Sequence, residues 1–508
     1  MRLAVRVRFG VGRLQALAVL VGCGAVLSFG VGVSAGSGSS AGWSSVPVSS
    51  PPGGIPVNKL FSVGAMACGS DVSCVLGGYL ATSSYSAASK QTLYSYKPLL
   101  WAWNGHGWGY KASSVSGSAA LVGSACSSAS DCWVVGARFS GQTPSALLEH
   151  WNGTSYAPAA GPAPATGIAL NSVACVTASS CFAVGNMETS STAAHGVVEQ
   201  WNGKTWSPMS APSPKGALWS GLSSVTCFPA GQCVAVGDAQ NSSTSSGYFF
   251  GETFNGKTWA LTSATSPRKF DLGNETGLYS MGCLTASRCL AVGAALGYTP
   301  PGSGGGANFP GGVVERWNGS SWKPVALPVS TGMTPNLPDG VACPSTSYCW
   351  VAFAAGPPIG PASVPITLEK WNGSALTPET LSGHGSLDAV SCLTDGWCIA
   401  FGQGPGKTPS SPLTLIAEMY VDHSLAGALK LTSCGTLKGT FGTYSAVRVA
   451  GMSCAAAKTL LAAGGPVEAQ GWYGKSKCTF QYGTKTVTPT CKLGGKTITY
   501  TGARAGGK

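Results

Sequence analysis

Short apolar runs separated by polar and turn-forming residues recur along this 508-residue chain, and they predict strands in preference to helices. One unit of the pattern lies in residues 171 to 210 and contains the runs NSVAC, CFAVGN, GVVEQW and TWSPMS. A Pro-rich connection, APSPKG, leads from the last run to the next similar unit. Because each run has five or six residues and is bounded by Gly, Ser, Asn or Pro, the unit is typical of antiparallel β-structure.

Two landmarks repeat together with this unit. The first is a pair of cysteines separated by five residues, and it occurs as Cys68 with Cys74, Cys126 with Cys132, Cys175 with Cys181, Cys227 with Cys233, Cys283 with Cys289, Cys343 with Cys349 and Cys392 with Cys398. The second is a WNG-type tripeptide, which occurs at residues 103, 151, 201, 254, 317 and 371. Successive first cysteines lie 49 to 60 residues apart, and a period of this size indicates a repeat architecture.

The WNG tripeptides are predicted to be hairpin tips. Asn and Gly both tolerate the positive φ of a type I′ turn, and Asn-Gly between apolar runs is a strong hairpin signal. With Asn202 and Gly203 as a two-residue turn, Trp206 is predicted to lie opposite Glu199 and to form a diagonal aromatic pair with Trp201.

Four antiparallel strands repeated seven times predict an all-β fold, a seven-bladed β-propeller over residues 36–424. The seventh repeat lacks its last strand, because VDHS follows Tyr420 where a WNG turn is expected. Residues Trp43 to Val48 match the missing strand in form. The N-terminal strand is therefore predicted to close the last blade and to protect its edge.

The recurring S-V-x-C-x5-C-x-A-V-G and E-x-W-N-G-x-x-W patterns resemble the repeats of uncharacterised secreted bacterial β-propeller proteins of kelch-like and BNR-like type. The resemblance covers about residues 42 to 424. It implies a propeller fold and no single activity, because propellers host enzymes, lectins and protein-binding platforms alike.

The paired cysteines favour structural disulfides. A structural zinc site needs four converging ligands, usually with closer cysteine spacing, and a redox site needs C-x-x-C, which the sequence lacks. No metal and no cofactor is expected. Disulfides also indicate an oxidising compartment.

The N-terminus agrees with export. Residues 1–35 combine an arginine-rich start, an apolar stretch and a Val33-Ser34-Ala35 cleavage motif, and they are predicted to be a signal peptide. Two alternatives remain open: a lipid anchor at Cys23, which ends the lipobox-like LVGC, and retention of the apolar segment in a membrane.

The connections between second and third strands vary among the repeats, whereas the cysteine hairpins and WNG tips are short and uniform. The first variable connection is predicted to be a loop over residues 79–98. Recognition sites usually form on variable loops of a repeated scaffold. The connections between blades vary as well. The candidate ligand-binding residues are therefore aromatic residues of these two kinds of connection, with Trp219 on one between blades, and ordinary loop packing is the alternative: Tyr79, Tyr94, Tyr96, Trp219 and Tyr298.

No catalytic residue is assigned. A glutamate precedes each of five tips and Tyr420 at the same offset, and this recurrence favours a structural strand-end position over a general acid: Glu149, Glu199, Glu252, Glu315, Glu369 and Glu418. The predicted function is non-catalytic binding of a glycan or a protein. The alternative is a glycosidase or lyase that uses a loop acid such as Asp238 or Asp271.

The charge is concentrated after residue 424. Residues 425–508 hold eleven Lys or Arg and one acid, within a total net charge of +12. This segment is predicted to be a small α+β domain with a helix over Ala455 to Ala463 and four cysteines of open connectivity: Cys434, Cys454, Cys478 and Cys491. This segment either contacts anionic cell-wall or lipid surfaces or serves as a solubilising cap. Nucleic acid is not an expected partner. The protein is expected to be a monomer.

Overall fold

The computed structural model describes residues 42–56, 59–86, 91–161, 166–190, 193–241, 247–262, 277–295, 311–325, 336–344, 348–355, 365–394, 396–406, 408, 411–421, 432–439, 442–450, 477–482, 486–493 and 496–503. These residues fall into two compact units. The first extends to Val421, and the second begins at Asp422. The predicted signal peptide, with Cys23, lies outside the described residues. Among the described residues, no helix has the length and apolarity needed to cross a bilayer.

The first unit consists of strands. The chain begins with β1 (Gly42–Ser45), β2 (Leu60–Ser70), β3 (Ser73–Ser86), β4 (Gln91–Trp103), β5 (Trp108–Lys111), β6 (Ser118–Ser128), β7 (Asp131–Ser140), β8 (Thr143–Trp151) and β9 (Tyr156–Pro158). It continues with β10 (Ile168–Thr177), β11 (Ser180–Glu188), β12 (Ala194–Trp201), β13 (Trp206–Met209), β14 (Trp219–Cys227), β15 (Cys233–Gln240), β16 (Gly247–Phe254) and β17 (Trp259–Leu261). The last of its strands are β18 (Gly277–Thr285), β19 (Arg288–Ala295), β20 (Gly311–Trp317), β21 (Trp322–Pro324), β22 (Asn336–Ala342), β23 (Cys349–Ala355), β24 (Pro365–Trp371), β25 (Leu376–His384), β26 (Ser386–Thr394), β27 (Trp397–Gly404) and β28 (Thr414–Val421).

These strands form four-stranded antiparallel sheets in chain order, which we number sheets 1 to 7. Sheet 1 is β2 to β5, sheets 2 to 6 take the next four consecutive strands each, and sheet 7 contains β26 to β28 together with β1. Sheets 3 and 4 are joined by a single parallel bridge between Ala194 and Trp219. The repeated sheets are those of an all-β protein and are consistent with a propeller.

The sheets pack face to face. On β11, Phe182 and Val184 contact the core residues of sheet 4, whereas Cys181 and Ala183 contact those of sheet 2. A strand that is covered on both faces needs apolar residues at successive positions, which explains the C-F-A-V-G run. Each first strand contacts the first strand of the next sheet, and β26 contacts β2, so the circuit of first strands closes.

The N-terminal strand completes sheet 7, as the sequence predicts. β1 pairs antiparallel with β28, and Trp43 lies opposite Tyr420. The pairing covers Gly42–Ser45, which is shorter than the predicted strand, and Val48 instead bridges to Trp108 of sheet 1.

The predicted C-x5-C disulfides are confirmed. Each bond closes the hairpin between the first and second strands of its sheet, and Cys175 and Cys181, for example, lie directly opposite each other on β10 and β11. The seven bonds, in the order of the sheets, join Cys68 to Cys74, Cys126 to Cys132, Cys175 to Cys181, Cys227 to Cys233, Cys283 to Cys289, Cys343 to Cys349 and Cys392 to Cys398. The second cysteine of each pair is almost fully buried, with an exposed fraction of 0% at Cys132, Cys289 and Cys398. The bonds therefore belong to the packed interior of the sheets, as expected for structural disulfides.

The predicted register of the WNG hairpins is wrong. Trp201 lies directly opposite Trp206, and Glu199 lies opposite Pro208, so the loop has four residues and not two. The Asn202 side-chain oxygen accepts hydrogen bonds from the backbone N–H groups of Lys204 and Thr205, both at 2.9 Å. The aromatic pair is consequently a direct one, with its ring centroids 5.7 Å apart.

The second unit contains one five-stranded sheet, built from β29 (Thr432–Gly439), β30 (Gly442–Ala450), β31 (Lys477–Tyr482), β32 (Thr486–Leu493) and β33 (Lys496–Ala503). The strand order is β29-β30-β33-β32-β31, and Cys478 and Cys491 occupy opposite register positions. The predicted helix Ala455 to Ala463 and Cys454 lie outside the described residues, so the α+β assignment stays a prediction.

Candidate functional site

The hairpin of β3 and β4 extends far beyond the core of sheet 1. The two strands pair continuously from Cys74 opposite Trp103 to Ser86 opposite Gln91. The prediction of a loop over residues 79–98 is therefore wrong, because most of this segment is a regular two-stranded ribbon. Its uninterrupted pairing satisfies the backbone groups that a loop of this length leaves to solvent or side chains.

One face of this ribbon is lined with tyrosines. Directly opposite residues project from the same face, and side chains alternate along each strand. The register places on this face the pairs Tyr79–Pro98, Ala81–Tyr96, Ser83–Tyr94 and Tyr85–Thr92. We call this set the tyrosine face. It carries no charged side chain.

The tyrosines change from buried to exposed along the ribbon. Tyr79 is 3% exposed, Tyr94 38% and Tyr85 69%. The Tyr79 and Tyr96 rings meet edge to face with centroids 5.5 Å apart, and Tyr94 stacks beside Tyr96 at 6.5 Å. Phe139 of sheet 2 packs against Tyr96 at 4.8 Å. The inner rings therefore support Tyr94, while Tyr85 extends beyond them.

The Tyr96 phenol of this face stays neutral at ordinary pH. Burial, and secondarily the nearby Tyr94, raises the pKa of Tyr96 to about 12. A neutral phenol donates and accepts hydrogen bonds next to an apolar ring surface. The face thus combines stacking surface with hydroxyl groups.

The other two predicted ligand-binding residues do not join this face. Trp219 begins β14 of sheet 4, where its six-membered ring lies over Gly221. Sheet 4 does not neighbour sheet 1 in the circuit. Tyr298 lies outside the described residues.

A second set of residues, most of them polar, lies at bulges in the first strands. A register irregularity occurs four residues before the first cysteine in sheets 2 to 7, at Val122, Asn171, Ser223, Tyr279, Asp339 and Asp388. In sheet 1 the irregularity lies between Val63 and Met66. Bulges redirect side chains and often lie beside functional sites.

Asp339 and Asp388 occupy equivalent bulges on neighbouring first strands. A Cβ added to Gly340 would lie 2.9 Å from the Asp388 carbonyl oxygen, so the two bulged backbones are in close contact. Both aspartates are buried, and the Gln403 amide donates a hydrogen bond to Asp388 at 3.2 Å. Neither aspartate is among the residues predicted from the sequence; their common offset from the first cysteine is the signal that identifies them. Of the two acids predicted for an enzyme site, Asp238 is buried in β15, and Asp271 lies outside the described residues.

The repeated glutamates are buried between sheets. Phe250 and Phe254 flank Glu252 on the same face of β16 and pack against sheet 3, so the carboxyl group projects into that interface. Burial raises the pKa of Glu199 and Glu369 to about 7 and that of Glu252 to about 8. Ser113 donates a hydrogen bond to Glu149 at 2.7 Å and Ser45 to Glu418 at 2.6 Å. Such closed positions agree with a structural role for these carboxyl groups.

The face that carries the tips and disulfides is uniform in backbone but not in side chains. The residues before the second cysteine and before the WNG tip differ from sheet to sheet. In sheet 2 they are Asp131 and His150, which are 2.5 Å apart; in sheet 6 they are Tyr348 and Lys370, with the ammonium 4.1 Å from the ring centroid. No group of three or more potential metal ligands occurs among the described residues.

The chain matches no family model, and no curated protein matches it. Among solved structures it is similar to YCF48 from Cyanidioschyzon merolae, with 13% identity, a TM-score of 0.42 and coverage of 74% of this chain and 98% of that chain. It is also similar to a PL25 ulvan lyase (12% identity, TM-score 0.39, 64% and 88% covered). A third similar structure is the α-L-arabinofuranosidase Arb93A from Fusarium graminearum (13% identity, TM-score 0.37, 75% and 98% covered). At these TM-scores the likeness carries no inference about ligand or activity.

Proposed function

We propose that this chain is a secreted or cell-surface, seven-bladed β-propeller that binds glycan without catalysis. The tyrosine face carries the proposal. It presents Tyr85 and Tyr94 to solvent on a continuously paired ribbon, and it has no charged group. The residues 36–424 form the propeller in this proposal, and residues 425–508 form a separate small basic domain.

The fold supports the proposal in two ways. The closed circuit of first strands and the completion of sheet 7 by β1 are the features expected of a propeller ring. The seven disulfides indicate an oxidising compartment, which agrees with export.

The chemistry of the face favours a neutral sugar chain over a protein. Sugar rings present apolar C–H surfaces that stack on aromatic rings, and their hydroxyl groups pair with phenols and with side chains such as Ser83 and Thr92. A protein partner usually also buries Arg or larger apolar anchors at the centre of its interface. The ribbon provides a narrow strip, which suits an extended chain.

Glycan-array binding of the full-length mature protein tests this proposal. Replacement of Tyr85 and Tyr94 by Ala should abolish most binding, while replacement of both by Phe should retain the stacking part of the affinity. Leu261→Ala is a matched control, because Leu261 is 39% exposed but lies on sheet 4. Equal binding by the Tyr→Ala variant and the wild type would refute a glycan site on this face, and capture of a protein instead would favour the protein alternative.

A carbohydrate-active enzyme is the second candidate, and the neighbouring bulges of Asp339 and Asp388 favour it. Most glycosidases use a pair of carboxyl groups that flank the scissile bond, and these bulges place two aspartates on adjacent strands. The test is reducing-end release from neutral and uronic acid polysaccharides by the wild type and by Asp339→Asn and Asp388→Asn. Turnover that both variants lose would replace the non-catalytic proposal.

The basic C-terminal residues extend the proposal to a further contact. Eleven Lys or Arg against one acid in residues 425–508 attract anionic cell-wall polymers or lipid headgroups. The array repeated in added salt separates this charge-driven contact, which salt weakens, from stacking on the tyrosine face.

A further inference from the structure

The strand β4 has an open outer edge at the far end of its ribbon. β5 pairs with β4 only from Leu100 to Trp103, so β4 continues past the last strand of sheet 1, from Leu99 back to Gln91. On the other side, β3 pairs with β4 as far as Gln91. Among the described residues, no strand pairs with the outer edge of this extension.

The backbone groups of Thr92 and Tyr94 point outward on this edge. In an antiparallel pair, the N–H and C=O of successive residues point alternately towards the partner strand and away from it. The Tyr96 N–H donates a hydrogen bond to the hydroxyl oxygen of Ser118 on β6, at 3.0 Å, so it points away from β3. Thr92 and Tyr94 lie four and two residues before Tyr96, and their backbone groups therefore point away from β3 as well.

The same edge is blocked on the side of the core. The N–H of Tyr96 is already bonded, and Pro98 has no N–H to donate. Proteins commonly protect sheet edges with proline, lysine or a bulge. The segment from Thr92 to Ser95 has none of these, because its register with β3 is regular and the nearest lysines in the sequence are Lys90 and Lys97. The open part of the edge is therefore short and has defined limits.

Apolar side chains are exposed on both faces of this part of the ribbon. Leu93 is 37% exposed and Tyr94 38%, and successive residues of a strand project from opposite faces. Outside the ribbon, the described large apolar side chains with comparable exposure are Leu218 and Leu261. Exposed apolar side chains beside open backbone groups form a surface that a further strand would cover.

The open edge is complementary to itself. When two copies pair antiparallel with Leu93 opposite Leu93, Thr92 of each copy lies opposite Tyr94 of the other. The outward N–H and C=O groups of these residues then face each other, so each pair exchanges both of its backbone hydrogen bonds. The two Leu93 side chains meet at a non-hydrogen-bonded position, where opposed side chains are closest.

We propose that two copies of this chain associate through this edge of β4. The two ribbons form a four-stranded sheet in the order β3-β4-β4-β3, and a twofold axis passes between the two Leu93 residues, as in most homodimers. The backbone groups of an open edge accept any extended strand. The side chains favour a second copy, because leucine meets leucine on one face and no charged side chain opposes another along Thr92 to Ser95.

The second copy also contributes residues to the tyrosine face. Tyr94 of one copy lies beside Thr92 of the other, and thus two strand spacings, or about 10 Å, from Tyr85 of that copy. The two tyrosine faces become one continuous surface. The association itself requires no ligand, so a failure of glycan binding leaves it unaffected. The monomer expected from the sequence is replaced by a dimer in this proposal, because a loop over residues 79–98 has no strand edge.

The test is sedimentation equilibrium of the full-length mature protein without glycan. A strand pair of this length is a small interface, so the dimer should dissociate on dilution. Between about 1 μM and 1 mM, the range of weak association, the mass should rise from that of a monomer to that of a dimer. Leu93→Lys places two like charges opposite each other and should raise the Kd by about tenfold or more.

A matched control makes the same substitution elsewhere. Leu261 is 39% exposed, close to the 37% of Leu93, and lies on β17 of sheet 4. Leu261→Lys adds the same charge at an equally exposed leucine and should change the Kd by less than about twofold. Both variants keep the basic C-terminal residues, so any association through those residues cancels from the comparison.

A second pair of variants tests the register. Leu93→Cys places two thiols directly opposite each other across the twofold axis, and mild oxidation should give a cross-linked dimer on a non-reducing gel. Thr92→Cys places the thiol opposite Tyr94 of the other copy and should give little cross-linking. Both positions are exposed, so neither replacement disturbs the core.

Three results would overturn the proposal. The first is a wild type that stays monomeric over the whole concentration range, which would leave the edge to a different strand. The second is a dimer whose Kd is the same for the wild type and for Leu93→Lys, which would place the contact on another surface. The third is equal cross-linking by the two cysteine variants, which would indicate random collision.

Discussion

Ser172 of β10 accepts a hydrogen bond at its side-chain oxygen from the backbone N–H of Val225 on β14, at 3.2 Å. The bond joins the first strands of neighbouring sheets. The same contact recurs from Met281 to Ser224 at 3.1 Å and from Val341 to Ser280 at 3.3 Å. Each serine directly follows the bulged residue of its strand, which explains the serine of the repeated S-V-x-C pattern. The serine thus provides an acceptor for a backbone N–H on the first strand of the next sheet.

Ser224→Ala should destabilise the protein. It leaves the buried N–H of Met281 without its acceptor, and an orphaned buried donor costs about 1–3 kcal/mol. Chemical denaturation with intact disulfides measures the change. Ser207→Ala, at an exposed position of β13, is the control and should change the free energy of unfolding by less than about 0.5 kcal/mol.

Glu252 should make the stability depend on pH. Its pKa is about 8 in the folded protein, where burial raises it from the ordinary value of 4.5. An acid with a raised folded pKa binds its proton more tightly when folded. Its contribution is therefore fully present below the unfolded pKa, and stability falls as the pH rises from 4.5 towards 8.

Glu252→Gln keeps the shape of this side chain and removes its ionisation. We expect the variant to be more stable than the wild type at pH 8, by a few kcal/mol in order of magnitude, and to differ little at pH 4.5. Denaturation curves across this range measure both proteins. A wild-type stability that rises over the same interval would contradict the burial of an ionisable carboxyl group.

Removal of one disulfide should lower the free energy of unfolding without abolishing the fold. Replacement of Cys175 and Cys181 by Ala opens a short loop, and the chain-entropy estimate for such a loop is about 2 kcal/mol. Denaturation midpoints of this variant and the wild type provide the measurement. A variant no more stable than the wild type with its disulfides reduced would contradict this prediction. It would show that loss of this one bond removes the stabilisation by the others.

Gly203→Ala should strain one WNG tip. Gly203 has φ of +91°, and an added Cβ would lie 2.9 Å from the Ser179 side chain. Alanine is unfavourable in this conformation by about 1–2 kcal/mol before the contact is counted. Thermal unfolding measures the effect. Gly216→Ala is the matched control for the contact. Gly216 also has a positive φ, +78°, and nothing lies within 4 Å of its added Cβ. The difference in stability between the two variants therefore reports the clash alone.

Much of the fold could be predicted because its signals are local. The apolar runs of residues 171–201, the C-x5-C hairpins and the Asn-Gly tips each involve residues a few positions apart. The N-terminal strand could be predicted for the same reason, since its sequence has the form of the last strand of a repeat, which the seventh repeat lacks. The tip register was wrong because the Asn202 side chain, by binding the Lys204 and Thr205 N–H groups, stabilises a four-residue loop over a two-residue turn.

The tyrosine face could be predicted only in part. The sequence identifies Tyr79, Tyr94 and Tyr96 as candidates, but it predicts a loop for the variable segment that contains them. Whether these residues share a face depends on the register from Ser86 to Cys74, and the exposed member Tyr85 joins them only through that pairing. Strand length and register arise from the whole ribbon, not from any short stretch within it.

The sequence by itself therefore determined the repeat, the paired cysteines and the four-strand unit, because hydrogen bonding and alternation within a hairpin depend on near neighbours. Only the tertiary structure decided which sheets touch and what meets between them. Gly340 lies beside the backbone of Asp388, and Arg316 reaches Gly373, across separations of 48 and 57 residues. Contacts at these separations follow from the packing of one sheet on the next, and no local pattern of residues encodes them.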